Sequence, residues 1–194
     1  MNQLYAPQKF EITADTLSAY CDPAVSADGN WLYFSSDMPG GQGGMDLWRA
    51  PLHNATDVGA VENLGEAINT PGREMFPTFA PDGVLYFSTD GRETVGGLDL
   101  YSAREDEWGT WHITHLGAPM NSTADDFGMT FCRNTKEQQE GWFSSNRQQG
   151  KGYDNLYTFR LPSIKVRITG YVYDTDEEPV PEAIVRVVGR NGMN

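Results

Sequence analysis

The feature that most constrains this chain is a stretch that occurs three times. Residues 76–102 read FPTFAPDGVLYFSTDGRETVGGLDLYS. This parses as a short strand at 78–80, a Pro-Asp-Gly turn, an aromatic strand at 85–89, a glycine-rich loop and a third strand beginning at Asp99. The unit returns at residues 22–50 (DPAVSADGNWLYFSSDMPGGQGGMDLWRA) and 128–159 (GMTFCRNTKEQQEGWFSSNRQQGKGYDNLYTF). Counted along the chain, the aspartate of the third strand recurs at Asp46, Asp99 and Asp154, and the turn residue at Asp28, Asp82 and Asn134. A third set, Asp37, Asp90 and Asn146, closes the aromatic strand. Spacings of about 52 to 55 residues in the first two sets fall near the period of four-stranded repeat modules. The prediction is an all-β chain: a partial β-propeller of three four-stranded blades, over about residues 10–60, 61–112 and 113–162.

Local chemistry supports this reading. Asp28-Gly29 and Asp82-Gly83 supply the positive φ that tight hairpins need. The third copy carries NTKEQQEG instead, so its hairpin over 133–141 is expected to be longer and more exposed. The runs WLYFSS, VLYFST and GWFSS are nearly continuous in apolar residues, as strands covered on both faces require. The segments VENLGEAINTPGREMF and ITHLGAPMNSTADDF precede the second and third units. Both run Leu-Gly, then an aliphatic residue with Asn and Ser/Thr, then an acid at Glu74 or Asp126. They are expected to tie the outer strand of each blade to the start of the next.

After residue 162 the pattern changes. Over 166–189, Val166, Ile168, Gly170 and Val172 share one face of a first strand. In a second strand Ile184, Arg186 and Val188 lie opposite Val185 and Val187. A half-covered hairpin is predicted, beginning a β-sandwich domain over 163–194. Two strands alone are marginal in water.

Several chemistries are weighed and set aside. The net charge of −13 argues against a nucleic-acid partner, because phosphate contact needs a cationic surface. No apolar run approaches the roughly 20 residues of a membrane-spanning helix, and the N-terminus lacks the basic-then-apolar order of a secretory signal. Cys21 and Cys132 occupy different repeat positions and read as small apolar side chains; a disulfide is not indicated. His112 and His115, three apart on a strand, point to opposite faces. No Gly-x-Ser-x-Gly occurs. Ser35, Ser36, Ser88, Ser144 and Ser145 recur within aromatic strands as packing residues with local hydrogen bonds. The acid pairs Asp125-Asp126 and Glu177-Glu178 are poorly placed to flank a glycosidic bond. Repeated aspartates beside glycine-rich loops invite a metal, but hard cations need six or more converging oxygens. Acceptance of backbone N–H bonds is the structural alternative, and it explains the repetition. No cofactor is expected.

The repeats resemble the PD40 (WD40-like, TolB-like) β-propeller repeat, acidic–x–x–Pro–x–Phe–Ser–Pro–Asp–Gly followed by Leu–Tyr–Phe–Ser–Ser–Asp and Gly–Gly–x–Asp–Leu–Tyr. The second copy matches almost throughout. The first has Trp48 for the last Tyr, and the third lacks the Pro-Asp-Gly turn and has Asn146 for aspartate. Gly170, Val172, Pro181 and Val185 resemble the opening of a carboxypeptidase-regulatory-like domain. That order is similar to Bacteroidetes envelope proteins of the OmpA family, some of them, similar to PorE, serving type IX secretion and gliding. The resemblance implies a periplasmic location at the outer membrane and other cell-envelope proteins as partners. It also implies a fragment: the last three blades of a propeller plus the first hairpin of the next domain. Self-association to complete a ring is the alternative. A non-catalytic interaction scaffold is therefore expected, with a carbohydrate-binding or accessory propeller of a hydrolase as the other reading. Trp108 and Trp111, in EDEWGTWH, would stack on a partner or sugar, or else cap a blade edge. Lys136 and Glu137, in the longest repeat-specific insertion, are the other candidate partner contacts.

Overall fold

The structure is a computed structural model. It describes residues 7, 9, 10, 12, 17–54, 57–135, 138–148, 153–162 and 169–184. The chain divides into two compact units, Met1–Pro162 and Ser163–Asn194. The first is all-β: three antiparallel sheets, none closed into a barrel, with no helix among the described residues.

Sheet 1 is formed by β1 (Tyr20–Val25), β2 (Trp31–Ser36), β3 (Asp46–Asn54) and β4 (Asp57–Val58), with β5 (Glu62–Asn63) also on β3. Sheet 2 holds β6 (Glu74–Phe79), β7 (Leu85–Thr89), β8 (Asp99–Glu105) and β9 (Trp111–His115). Sheet 3 holds β10 (Asp126–Thr135), β11 (Gln138–Ser145) and β12 (Asn155–Pro162). Among the described residues the sheets thus have five, four and three strands rather than four each. The extra pair arises because β3 runs on to meet β4 at Leu52↔Val58.

The sheets succeed one another as the blades of a partial β-propeller do. β6 lies against β1, β2 and β3, and β10 against β6, β7 and β8. The register explains the continuous apolar runs. Tyr33 and Leu47 of sheet 1 pack with Leu85, Phe87, Tyr101 and Ala103 of sheet 2. Alternate residues Tyr86 and Leu100 face the other way, onto Met129, Phe143 and Phe159 of sheet 3. Sheet 2 is therefore apolar on both faces, and truncating a fully buried residue such as Phe87 or Leu47 costs about 2–5 kcal/mol.

The connecting segments fill the seams. Leu64 and Ile68 enter the first, and Leu116 and Met120 the second. The strand that precedes each of them, β5 or β9, pairs with the preceding sheet through Trp48↔Asn63 or Tyr101↔His115. The first strand of every sheet carries a bulge with one left-handed residue, at Asp22 (φ 54°), Phe76 (φ 56°) and Gly128 (φ 65°). These bulges meet: the Phe76 N–H donates to Asp22 Oδ2 at 3.2 Å, and the Phe76 ring lies 5.1 Å from Phe127.

Two sequence expectations are corrected. The first strand of the central unit begins at Glu74, not at 78, because it runs through the bulge. Asn134 is not a turn residue; it lies in β10 opposite Gln139. The NTKEQQEG insertion lengthens the hairpin, as expected, through two strands that pair out to Thr135↔Gln138. In the second unit the expected strand residues Val166, Ile168, Val185, Arg186, Val187 and Val188 lie outside the described residues. The described part holds one bridge, Tyr173↔Pro179, around a turn in which Asp174 Oδ1 accepts from Asp176 and Glu178 N–H.

Candidate functional site

The repeated polar residues fall into positions that the structure gives distinct tasks. Asp37, Asp90 and Asn146 all fasten the chain as it enters the first strand of their own sheet. Asp37 Oδ1 accepts from Ala19 N–H at 2.7 Å, Asp90 Oδ1 from Arg73 N–H at 2.7 Å and Asn146 Oδ1 from Asp125 N–H at 2.8 Å. The change to asparagine has a charge logic. Asp90 also receives the Arg73 guanidinium (2.8 Å), whereas Asn146 donates its amide to the Asp125 carboxylate (2.9 Å). A carboxylate at 146 would meet another carboxylate.

Asp46 and Asp99 are buried and hold the glycine-rich loops. Asp46 accepts from Gln42 and Gly43 N–H and from Asn63 Nδ2, and Asp99 accepts from Val95 N–H and contacts His115 Nε2 at 2.8 Å. The third member is displaced. Register pairs Ser36↔Asp46, Thr89↔Asp99 and Ser145↔Asn155, so Asn155 takes this place and Asp154 stands exposed one residue before β12. Asp28 accepts from Asn30 N–H (3.1 Å) and the Ser26 hydroxyl, which holds its carboxyl below the usual range. Asp82 accepts from Val84 N–H at 3.4 Å and pairs with Arg104. The four acids therefore serve four separate loops. Among the described residues no group of three or more His, Cys, Asp or Glu could hold a metal ion.

Residues given little weight in the sequence prove central. Asn69 Oδ1 accepts from Leu47 N–H (2.8 Å) while its Nδ2 donates to Leu47 O (2.9 Å); Asn121 makes the same pair with Leu100 at 2.7 and 3.0 Å. Both are buried. Glu74 accepts from Thr70 N–H and the Thr70 and Thr89 hydroxyls, and Asp126 accepts from Ser122 N–H and hydroxyl and from Arg147. Burial pushes the Glu74 carboxyl up against the lowering effect of those bonds. The signal was the recurrence of Leu-Gly-x-x-(Ile/Met)-Asn-(Thr/Ser)-x-x-x-(Glu/Asp) at 64–74 and 116–126.

The serines divide. The Ser36 hydroxyl donates to Ala19 O at 2.7 Å and Ser145 Oγ accepts from Arg147 N–H at 3.2 Å, but the Ser35 and Ser88 hydroxyls, fully buried, find no partner among the described residues. His112 is exposed beside Asp106 and His115 turns inward to Asp99, so the two diverge. Cys21 is half-buried, and burial beside Asp22 pushes its thiol up to about 11; Cys132 is exposed.

The surface candidates separate as well. Trp108 is 67% exposed at the β8–β9 turn, while Trp111 packs at the seam of sheets 1 and 2. Lys136 and Glu137 lie outside the described residues. On sheet 3, Trp142 and Leu156 are exposed on one face, with Tyr153 exposed just before β12. Beside Trp142 a groove of about 410 Å³ runs between Glu140 and Arg160. No helix among the described residues is long and apolar enough to cross a membrane. Comparison with protein-family profiles and with curated proteins returns no match.

Proposed function

We propose that this chain is a non-catalytic protein-interaction scaffold of the bacterial cell envelope, working at the periplasmic face of the outer membrane. The observation that carries the reading is the outer face of sheet 3, where Trp142 and Leu156 are open to solvent beside the Glu140–Arg160 pair. Large apolar side chains held open to solvent on an ordered sheet face are candidate binding contacts. The recurring acids, in contrast, are engaged in holding backbone, which separates the stable frame from the surface that varies. The PD40-like repeats supply the envelope location and suggest type IX secretion and gliding machinery as the partner class. Pull-down from a Bacteroidetes envelope fraction, comparing wild type with Leu156→Asp, tests the reading. Specific capture by wild type alone supports it; recovery of nothing above background refutes it. Substitution of Lys136 and Glu137 distinguishes recognition from a mechanical spacer: loss of capture at unchanged thermal stability marks a contact, and no effect on either favours the spacer.

A further inference from the structure

The three sheets can be laid over one another by register, through the cross-strand pairs Phe34↔Trp48, Phe87↔Tyr101 and Phe143↔Tyr157. The residues before Phe34, Phe87 and Phe143 are Tyr33, Tyr86 and Trp142, and those before the partners are Leu47, Leu100 and Leu156. In sheets 1 and 2 these four residues are 3%, 7%, 0% and 0% exposed, whereas Trp142 is 43% and Leu156 78% exposed. The structure itself shows what covers the first two sites. The next repeat covers the face with its own sheet, Phe79 lying on Tyr33 and Phe131 on Tyr86; its connecting segment adds Leu64 and Ile68, or Leu116 and Met120, and Asn69 or Asn121 clasps both backbone groups of the leucine. On sheet 3 no described strand pairs the outer edge of β12.

We infer that the outer face of sheet 3 is a docking site for an extended segment of a separate polypeptide bearing Leu-Gly-x-x-(Ile/Met)-Asn. The segment adds a strand beside β12, its asparagine clasps the backbone of Leu156, and a phenylalanine ten residues further on covers Trp142, as Phe79 and Phe131 cover Tyr33 and Tyr86. A second copy of this chain is the weaker donor, because both of its own segments are committed. Ile68 is fully buried, and Asn69 and Asn121 are 2% exposed with their amides bonded on both sides. The inference rests on the scaffold reading and names the chemistry of its partner.

The test uses the full chain and a labelled synthetic peptide with the sequence of residues 61–79, VENLGEAINTPGREMFPTF, followed by fluorescence anisotropy. Saturable 1:1 binding is expected. Leu156→Asp in the protein should weaken it by tenfold or more, and alanine in place of the peptide asparagine by about tenfold, the loss of a paired amide. Leu156 is exposed, so its variant should keep the wild-type melting temperature, and Trp142→Ala provides a second probe of the same face. Absence of binding at millimolar peptide overturns the inference. Binding indifferent to Leu156→Asp also overturns it, since the peptide would then have exchanged with an internal segment. Dimerisation with rising concentration that Leu156→Asp abolishes would overturn the separate polypeptide in favour of a second copy. Envelope capture that persists while the peptide fails leaves the scaffold reading intact and removes only this partner.

Discussion

Replacing Asn69 with alanine tests the physical account of how one sheet is joined to the next. The side chain receives the Leu47 N–H, gives to Leu47 O and gives a third bond to Asn63 Oδ1. Two of the partners keep another donor, Leu47 O from Leu64 N–H and Asn63 Oδ1 from Gly65 N–H. The Leu47 amide does not, and an orphaned buried donor costs about 1–3 kcal/mol. With the two weaker losses the expected destabilisation is about 3 kcal/mol. For a chain of this size that lowers Tm by about 6–12 °C. Thermal and urea unfolding of the full chain provide the measurement. Asn69→Asp sharpens it. The isosteric carboxylate still accepts from Leu47 N–H but turns an acceptor toward two other oxygens, so at neutral pH it should be worse than alanine. The substituted carboxyl has its folded pKa raised, so the penalty should shrink as pH falls and the protonated acid can donate. An alanine variant within about 0.5 kcal/mol of wild type, or an aspartate variant no worse than alanine at neutral pH, would refute the clasp.

Asn146→Asp should cost about 1 kcal/mol by setting two carboxylates together, with recovery in the double variant carrying Asp125→Asn, read by urea midpoints. Glu74 has its folded pKa raised by burial above the ordinary 4.5, so its favourable contribution is complete below that value and is lost as pH rises through the raised one. Glu74→Gln should therefore gain on wild type with rising pH across that window; parallel pH–stability curves would contradict the assignment. With the thiol of Cys21 near 11, a thiol reagent at pH 8 should label Cys132 first, and Cys132→Ser should leave one slow site. Equal rates would count against the burial of Cys21. Trp108→Ala should leave stability within about 0.5 kcal/mol of wild type, since the side chain is mainly in solvent.

What could be read in the sequence was what depends on neighbours along the chain. The strand Leu85–Thr89 and the start of β8 at Asp99 were legible because glycine-bearing turns bracket a run of aromatic and β-branched residues. The start of β6 was not, because Phe76 adopts a left-handed conformation that no local rule assigns to phenylalanine. Asp154 and Asn134 were misassigned by counting residues, whereas register allows one repeat to slip by a residue and keep its pairing. Asn69 and Asn121 were noted only as part of a recurring lead-in, since an asparagine that replaces a strand partner leaves its mark only in the fold. Of the surface candidates, Trp108 is exposed, whereas Trp111 packs, partly buried, at the seam of sheets 1 and 2. Trp142 and Leu156 went unnoticed because in sequence they match two buried pairs.

The borrowing of each outer strand and clasp from downstream residues gives the chain a direction. As it leaves the ribosome, the first sheet remains unfinished until Asn69 has emerged, and the second until Asn121. Until then Leu47 or Leu100 is an adhesive spot on a half-made product. Anyone dissecting the array at its visible repeat boundary, near residue 60, would isolate that spot rather than a module. Cuts placed beyond the sheet that follows the asparagine respect how the molecule is sewn.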